Sequence, residues 1–310
     1  GGEMKKLVVV GSSNTDMIIQ VPHIPAPGET IMGSEFLTAA GGKGANQAVA
    51  AARVGGDVSL VACVGADMFG EQALAGFVSD GINTDHCRVD DSAPSGVAQI
   101  LVADSGENSI AVAPGANFLL SPQCIVAAGN LLNDAAVVLM QLEIPLDTVL
   151  ESARLAHAGG AKVILNPAPA CVLPDEIFPL LDLLTPNESE IELLTGISVT
   201  DENSMAAAAS VLHERGVLAV LLTRGSQGVF LSEKQGDDIR TSAFPAFPVV
   251  PIDTTAAGDV FNGCLAVGLA GGHPLAESIE FAQAAAAISV QTLGAQTSAP
   301  AREAVKEFLR

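Results

Sequence analysis

Residues 136–165 decide the fold, and their sequence is AVVLMQLEIPLDTVLESARLAHAGGAKVIL. The runs at its two ends, Ala136–Met140 and Lys162–Leu165, are short and rich in apolar, β-branched residues, which is typical of buried strands. The segment between them is long enough for a helix. A strand, a helix and a second strand of this kind predict a parallel pair whose helix packs on one face of a sheet.

The same alternation continues along the rest of the chain. The other predicted strands are Leu7–Val10, Val58–Val64, Leu183–Thr185, Val217–Thr223 and Gly228–Leu231, most of them separated by helix-length segments. Nearly continuous apolar strands separated by helices require a sheet that is covered on both faces. The sequence therefore predicts an α/β fold, a three-layer, doubly wound and mostly parallel sheet.

Two segments break this alternation, Met17–Thr38 and Gly96–Ala113. The first contains three prolines, and in the second the turn at 104–108 joins two apolar runs as in a hairpin. Both segments lie between α/β units, so we expect them to form a small β-sheet lid outside the central sheet. A lid matters where water must be excluded from a reacting group.

Composition and charge limit the possible functions. The chain has 310 residues, of which 49% are hydrophobic, and we predict one domain over residues 4–310 that carries the two lid segments, with residues 1–3 as a cloning remnant. Lys and Arg number 14 against 35 Asp and Glu, a net charge of −21. This excess argues against a nucleic-acid or membrane partner, because both need a basic surface. Five cysteines without paired spacing favour a reducing cytoplasm, and we expect no secretion signal or membrane-spanning segment.

The string that begins at Asp253, DTTAAGDVFNG, is the most informative motif. Its small residues precede an expected helix start, so the backbone N–H groups of Ala256, Ala257 and Gly258 are open to an anion such as a transferring phosphoryl group. Asp259 would then lie where a hydroxyl nucleophile approaches that group. For Asp259 taken alone, a capping role in the first turn of a helix is the alternative.

Two polar clusters lie near the N-terminus. Residues 41–46, GGKGAN, fit neither a Walker A loop nor a dinucleotide-binding loop. Their glycines permit close approach to the backbone, and Lys43 and Asn46 suit sugar hydroxyls. Asn14 and Asp16 follow the first strand, where ligands of an open parallel sheet bind. A Gly-rich turn with a solvated lysine and a simple Asp/Asn turn are the alternatives.

Two further clusters follow predicted strands in the second half. In residues 185–190, TPNESE, Asn187 and Glu190 lie three positions apart at a helix start, where they are placed to organise Mg²⁺ and its waters. Residues 223–228, TRGSQG, join two strands through a Gly-rich turn, and Arg224 supplies a cation there. A capping box and an ordinary hairpin are the alternatives.

These motifs, in this order, resemble the ribokinase (PfkB-type) carbohydrate kinase family over essentially the whole chain. The glycine region at 41–44 and the string at 253–259 match its two signature regions. The string at 253–259 followed by FNG at 261–263 is more similar to the ribose-phosphorylating members than to fructokinases or adenosine kinases. The resemblance implies a doubly wound sheet with a β lid. It also implies transfer of the γ-phosphoryl group of ATP to O5 of ribose, with Asp259 as catalytic base and the N–H groups of 256–258 as anion hole.

The resemblance also implies the ligand contacts. The residues implied for ribose are Asn14, Asp16, Gly42, Lys43, Gly44, Asn46, Glu143 and Asp259. The residues implied for ATP are Asn187, Thr223, Arg224, Gly225, Ser226, Gln227, Gly228, Gly258 and Gln283. Glu190 is implied to order Mg²⁺ through water. A monovalent cation, usually K⁺, is implied beside the anion hole, bound by Asp253, Thr255, Ser289, Thr292, Gly294 and Ser298. A homodimer that pairs through the β lid is implied as well.

Two kinds of alternative function stay open from the sequence. One is a related kinase that acts on 2-deoxyribose, a nucleoside or fructose, because one sequence does not fix the shape of a pocket. The other is a non-catalytic sugar- or nucleotide-binding protein with the same fold, against which the intact string at 253–259 argues.

Overall fold

The computed structural model describes residues 5–310, so the prediction for residues 1–3 lies outside the described part of the chain. Within 5–310 there are thirteen strands and nine α-helices. The strands are β1 (Leu7–Val10), β2 (Asn14–Val21), β3 (Phe36–Gly41), β4 (Val58–Gly65), β5 (Cys87–Asp90), β6 (Gly96–Ala103), β7 (Asn108–Ala113), β8 (Val137–Met140), β9 (Lys162–Leu165), β10 (Leu183–Leu184), β11 (Ala219–Thr223), β12 (Val229–Gln235) and β13 (Asp238–Phe244). The helices are α1 (Lys43–Arg53), α2 (Met68–Ser79), α3 (Pro122–Ala127), α4 (Leu146–Ala158), α5 (Glu188–Thr195), α6 (Glu202–Arg215), α7 (Ala257–Ala270), α8 (Leu275–Ser289) and α9 (Arg302–Phe308). None of these helices is long and apolar enough to cross a membrane.

The central sheet has the strand order β13-β12-β11-β10-β9-β8-β1-β4-β5. The strands from β11 to β5 in that order are mutually parallel, whereas β12 and β13 extend one edge as an antiparallel hairpin. The chain adds β4 on one side of β1 and later returns to add β8 on its other side. The predicted α/β class and mostly parallel, doubly wound sheet are confirmed, and the reversal beside β1 is where such sheets bind ligands.

Alternate residues of the strands face two separate cores. In β1, Leu7 and Val9 pack in the hydrophobic cluster that includes α1, α7 and α8, while Val8 and Val10 pack in the cluster that includes α4 and α6. All four side chains are fully buried. This alternation explains the continuous apolar strands of the sequence, because a sheet with helices on both faces leaves neither face to water.

The lid is a separate four-stranded sheet with the order β3-β2-β6-β7. β2 pairs antiparallel to β3 and parallel to β6, and β6 and β7 form the predicted hairpin. The predicted small sheet outside the central one is confirmed, but its first segment begins earlier and ends later than expected, whereas the second has the predicted bounds. Asn14 opens β2 and pairs with Gly41 at the end of β3, so the lid extends into both N-terminal polar clusters. The division of residues 4–310 into one domain with two insertions stays a prediction.

Helices α1 and α7 cross closely at Gly263. A Cβ atom at this position would lie 3.1 Å from the Cβ of Ala50 and from the backbone N of Ala51, and it would overlap the carbonyl oxygen of Gln47. Backbone atoms do not yield as flexible side-chain ends do. A glycine is therefore required where α1 and α7 approach each other.

We expect Gly263→Val to lower the free energy of unfolding by about 2–3 kcal/mol, because the added atoms push two packed helices apart. The matched control is Gly76→Ala in the exposed part of α2, where an added Cβ meets no heavy atom within 4 Å. It should be neutral or stabilise by up to about 1 kcal/mol, since alanine favours a helix more than glycine does. Urea unfolding measures both. An unchanged unfolding midpoint in Gly263→Val would contradict the close crossing.

Candidate active site

Asp259 lies at the centre of the polar residues that gather at the carboxyl ends of the parallel strands. It is the third residue of α7 and is only 7% exposed. Its Oδ2 accepts a hydrogen bond from Nδ2 of Asn46 at 2.9 Å, and its Oδ1 accepts one from Nε2 of Gln47 at 3.0 Å. No side chain caps the N-terminus of α7 at Ala256. The carboxylate therefore faces α1, and the geometry does not support the capping alternative.

The environment of Asp259 makes its carboxylate basic. Burial raises the pKa of Asp259 above its ordinary value, while the nearby charge of Lys43 and the hydrogen bonds from Asn46 and Gln47 hold it down. A carboxylate whose charge is poorly solvated accepts a proton more readily than one in water. The arrangement suits a general base.

The start of α7 offers free backbone N–H groups next to this base. The first helical bond runs from the Val260 N–H to the Ala256 carbonyl at 2.9 Å, so the N–H groups of Gly258 and Asp259 precede it and have no acceptor within the helix. The Ala257 N–H donates to the Thr254 carbonyl at a long 3.3 Å. The space over Gly258 is open, because a Cβ there would meet no heavy atom within 4 Å. Such a helix start attracts an anion.

The residues predicted for the sugar come together around Glu143. They are called the sugar cluster below and are Asn14, Asp16, Gly42, Lys43, Gly44, Asn46 and Glu143. Its Oε1 accepts hydrogen bonds from the Ser12 hydroxyl at 2.7 Å and from the Lys43 backbone N–H at 2.8 Å. The Ser12 hydroxyl also accepts a hydrogen bond from the Gly44 N–H at 3.3 Å. Gly42 has a φ of 92°, and a Cβ there would lie 2.8 Å from the backbone N of Asn14, so only glycine fits.

Asn14 and Asp16 lie on β2, opposite β3, and do not form the simple turn considered from the sequence. The Asn14 Oδ1 accepts a hydrogen bond at 2.8 Å from Nδ2 of Asn117, a buried residue that the sequence did not single out. The Asn117 Oδ1 in turn accepts one from the Ser13 N–H at 2.9 Å. Asn117 thus fixes the orientation of the Asn14 side-chain amide, and this leaves the Nδ2 of Asn14 free to donate a hydrogen bond.

Six buried polar residues complete the site and were not predicted: Gln47, Asn117, Gln141, Asn166, Thr185 and Asn262. Three of them share one sequence signal. Gln141, Asn166 and Thr185 are the first residues after β8, β9 and β10, the successive parallel strands next to β1. A polar residue directly after an apolar strand lies at the ligand-binding edge of the sheet, so this pattern was available in the sequence.

A cavity of about 480 Å³ adjoins the start of α7. Its walls include Thr223, Arg224, Gly225, Ser226, Gly228, Gly258 and Gln283 from the predicted nucleotide set, together with Val229, Phe247, Phe261, Ala286 and Val290. Its walls combine polar groups with apolar side chains, and Gly258 at the start of α7 is one of them, which suits a nucleotide. Asn187 forms a backbone bridge with Thr223 beside the cavity, and the Gln227 amide oxygen accepts a hydrogen bond from Arg224. Residues 223–228 also connect β11 and β12, so the hairpin alternative is correct as a description of structure.

A family model described as "pfkB family carbohydrate kinase" matches residues 4–302. This chain belongs to the pfkB family of carbohydrate kinases. It is 46% identical to a ribokinase of Haemophilus influenzae over 305 residues, which cover 98% of both chains. It is similar to the crystal structure of a ribokinase from Thermotoga maritima, with a TM-score of 0.90, 41% identity and coverage of 98% and 99% of the two chains. It is also similar to an Arabidopsis thaliana ribokinase complexed with ribose and ATP, with a TM-score of 0.88, 33% identity and 99% coverage of both chains.

In this pfkB kinase, Asn187 and Glu190 form the capping box of α5. The Glu190 N–H donates to the Asn187 Oδ1 at 2.8 Å, and the Asn187 N–H donates to the Glu190 Oε1 at 3.0 Å. Burial raises the pKa of Glu190, and the charge of Lys43 counteracts this. Its Oε2 accepts no hydrogen bond from the described residues. The capping alternative is therefore correct, and a free carboxylate oxygen also fits a hydrated Mg²⁺.

The residues predicted for K⁺ in the pfkB kinase bring two segments together. The Asp253 Oδ1 accepts a hydrogen bond from the Thr255 N–H at 2.9 Å, and its Oδ2 accepts one from the Gly294 N–H at 3.0 Å. Burial raises the pKa of Asp253, but a hydrogen bond from the Thr255 hydroxyl and these two N–H bonds outweigh it and lower the pKa below its ordinary value. The Ser289 carbonyl and the Thr292 N–H are hydrogen-bonded at 3.2 Å in the second segment, and the Ser298 hydroxyl lies near its end. The bond to Gly294 joins the two segments, and a carboxylate, carbonyl and hydroxyl oxygens are ligand types that fit a hard monovalent cation.

The pKa of Asp16 allows a test of whether its carboxylate is buried close to those of Glu143 and Asp259. Burial, reinforced by the charges of Glu143 and Asp259, raises this pKa from 3.8 to about 6. Because the folded state holds its proton more tightly than the unfolded chain, stability from this group is present below about pH 4 and is lost as the pH rises through 6. We therefore expect Asp16→Asn to raise the melting temperature at pH 7–8 and to lose this advantage toward pH 4.5.

Differential scanning calorimetry between pH 4.5 and 8 measures this difference. The control is Asp201→Asn at the start of α6, where hydrogen bonds from Ser204 lower the pKa of the aspartate. At neutral pH, Asp201→Asn should leave the melting temperature unchanged or lower it. An Asp16→Asn advantage that is the same at every pH would show that the carboxylate is not strained by its neighbours.

Proposed function

We propose that this pfkB kinase transfers the γ-phosphoryl group of ATP to O5 of D-ribose, giving D-ribose 5-phosphate and ADP. One observation carries the proposal. The buried carboxylate of Asp259 is adjacent in the chain to the open N–H groups at the start of α7 and is hydrogen-bonded to Asn46 of the sugar cluster. A base, an anion site and a polyol site thus meet at one point. The ribokinases to which the chain is similar support ribose as the acceptor.

Each part of an in-line phosphoryl transfer can be assigned to residues of this site. Asp259 takes the proton of the acceptor hydroxyl, whose oxygen forms a bond to the γ-phosphorus while the bond to the β,γ-bridging oxygen breaks and ADP leaves. The N–H groups of Ala256, Ala257 and Gly258, together with the neighbouring N–H of Asp259, stabilise the charge on the transferring oxygens. The sequence from 241 to 301 contains no Lys or Arg, so backbone dipoles supply this stabilisation from the protein side at α7. The lid strands hold the acceptor and exclude water.

Neither alternative function left open by the sequence is favoured, neither a related kinase for another acceptor nor a non-catalytic binding protein. Asn14, Asp16 and Glu143 present several acceptors and donors to neighbouring hydroxyls, which favours an acceptor that carries all of them over 2-deoxyribose. A binding protein without catalysis would have no need for a buried, strained carboxylate beside an anion site. The ribokinase relatives likewise favour ribose over a nucleoside or fructose.

We also propose two cations for this reaction. Glu190 would hold Mg²⁺ through water, and Asp253, Thr255, Ser289, Thr292, Gly294 and Ser298 would hold K⁺. When bound, these ions neutralise charge on the ATP phosphates and near the anion hole. The free carboxylate oxygen of Glu190 and the joined segments at 253–255 and 289–298 support this assignment.

The lid supports a proposal for assembly. Its strands expose large apolar side chains, namely Ile19, Phe36, Leu37, Ile110 and Val112, which are 38–63% accessible. Such a surface on a sheet suits pairing with a second copy, and we propose a homodimer through the lid. The five cysteines are free thiols, which supports a reducing, cytoplasmic location.

The central test is Asp259→Asn. The amide keeps the shape of the side chain but accepts no proton, so we expect turnover to fall by about 10²-fold or more while ribose affinity changes little. A coupled assay of ADP release gives turnover, and calorimetry gives ribose affinity. The control is Asp147→Asn, which alters an exposed aspartate in the first turn of α4, in the opposite layer, and should retain full turnover. Near-normal turnover in Asp259→Asn would refute the assignment of the base.

A panel of acceptors tests the substrate and the monovalent cation together. We expect ADP release with D-ribose to exceed that with 2-deoxyribose, fructose or adenosine by at least about 10-fold in kcat/KM, since a site that pairs each hydroxyl rejects an analogue lacking one. Replacing Na⁺ by K⁺ should raise the rate, and Asp253→Asn should weaken that response. A better rate with another acceptor would assign the enzyme to that acceptor.

A further inference from the structure

A continuous set of buried hydrogen bonds begins at the base. Nε2 of Gln47 donates one bond to the Asp259 Oδ1 at 3.0 Å and another to the Asn166 Oδ1 at 3.1 Å. The Gln47 Oε1 accepts a bond from Nε2 of Gln141 at 2.6 Å. Gln47 and Gln141 are fully buried and Asn166 is 8% exposed. Both Nε2 hydrogens and the oxygen of Gln47 are used, so its amide has a single possible orientation.

The set continues to the start of α7. Nδ2 of Asn166 donates to the Thr185 carbonyl at 3.2 Å, and the Thr185 hydroxyl donates to the Asn262 Oδ1 at 2.7 Å. Nδ2 of Asn262 donates to the Gly258 carbonyl at 2.8 Å. A carbonyl only accepts, so the NH₂ group of Asn262 must face Gly258 and its oxygen must face Thr185. Thr185 and Asn262 are each 1% exposed.

These bonds close a ring through the main chain, because Gly258 and Asp259 share one peptide group. In a trans peptide the C=O and the N–H point in opposite directions. The side chain of Asn262 holds the carbonyl of Gly258, and this bond adds to the helix geometry in fixing the N–H of Asp259, which points the opposite way in the first turn of α7. The same ring holds the carboxylate of Asp259 through Gln47.

We infer that Thr185 and Asn262 are positioning residues that align the anion hole with the catalytic base. The inference rests on the proposed phosphoryl transfer. Neither side chain needs to contact substrate: Thr185 lies at the end of β10, and Asn262 faces the interior one turn after Gly258. Their effect falls on the transferring phosphoryl group, whose charge the N–H groups stabilise, and not on ground-state binding of either substrate.

Thr185→Val tests the inference, since valine keeps the shape of the side chain and removes the hydroxyl. We expect kcat to fall about 10-fold with the KM values for ribose and ATP within about twofold. Thr185→Ser keeps the hydroxyl and should restore kcat to within about threefold of the wild type. The matched control is Thr148→Val. Thr148 is also fully buried, and its hydroxyl donates to the Leu120 carbonyl beneath α4, so its loss should lower the melting temperature without lowering kcat.

A second readout does not depend on the identity of the acceptor. Calorimetry with ADP, Mg²⁺ and aluminium fluoride, a mimic of the transferring phosphoryl group, should show about 10-fold weaker binding in Thr185→Val, with ADP alone unchanged. Loss of this complex in the variant supports the inference even if ribose proves not to be the acceptor. Asn262→Leu should act in the same way, and the double variant should be no worse than the more affected single one.

Three results would overturn the inference. One is wild-type kcat and wild-type fluoride-complex affinity in Thr185→Val. Another is an equal loss of kcat in Thr148→Val at the same folded fraction, which would indicate a general loss of stability. The third is additive losses in Thr185→Val and Asn262→Leu, which would show that the two residues do not act through one bond. If Thr185→Val does not fold, Asn262→Leu with the fluoride complex decides the matter alone.

Discussion

The structure depends on burying one carboxylate, that of Asp259, which the proposed reaction needs in its charged form. Asp259 must be shielded from water to be basic, and an unpaired buried charge is among the most costly features of a folded protein. Among residues 5–310, no cation forms an ion pair with it. The cost is offset by two neutral amides from α1, Asn46 and Gln47, and by the more distant charge of Lys43. The start of α1 must therefore lie against the start of α7, which is why the helices cross at Gly263.

The same constraint explains how a chain with a net charge of −21 handles a triphosphate. Lysine or arginine side chains beside Asp259 would lower its basicity by stabilising its charged form. Backbone N–H groups at a helix start stabilise an incoming phosphoryl group without placing a full positive charge next to the base. Small residues at 256–258 leave those N–H groups uncovered. The lack of cations from 241 to 301 is then consistent with the chemistry rather than opposed to it.

The periodic features of the chain were predictable and the pairings between distant residues were not. The sheet and the separate lid follow from apolar runs and turn residues, because these report local geometry. Asp259 and the cluster at 41–46 were found as motifs. One partner of Asp259 was missed: Gln47 was not among the residues predicted for the site. Its role depends on α7, which is more than 200 positions away, and no local pattern carries that information.

The alternatives at the two helix starts show a related limit of the sequence. Asn187 and Glu190 do form a capping box, whereas Asp259, also in a first turn, does not cap its helix. The two patterns look alike in sequence because both place an acidic residue near an N-terminus. What separates them is the residue at the N-cap: Asn187 accepts a hydrogen bond from the third N–H, while Ala256 has no side-chain acceptor. The N–H groups of α7 thus stay free for another anion, and the carboxylate of Asp259 is free to face α1.

The lid and the sugar cluster share residues, because Asn14 and Asp16 both belong to β2. Asn14 and Gly41 form the first residue pair between β2 and β3, and Asp16 follows two residues later on β2. Any acceptor that binds Asn14 and Asp16 therefore binds the start of β2, a strand that pairs with both β3 and β6 of the lid. A hydroxyl that is missing from the acceptor leaves one of these polar groups unpaired and weakens the same strand that excludes water. We therefore expect selection of the acceptor and protection of the phosphoryl group from hydrolysis to be coupled through β2.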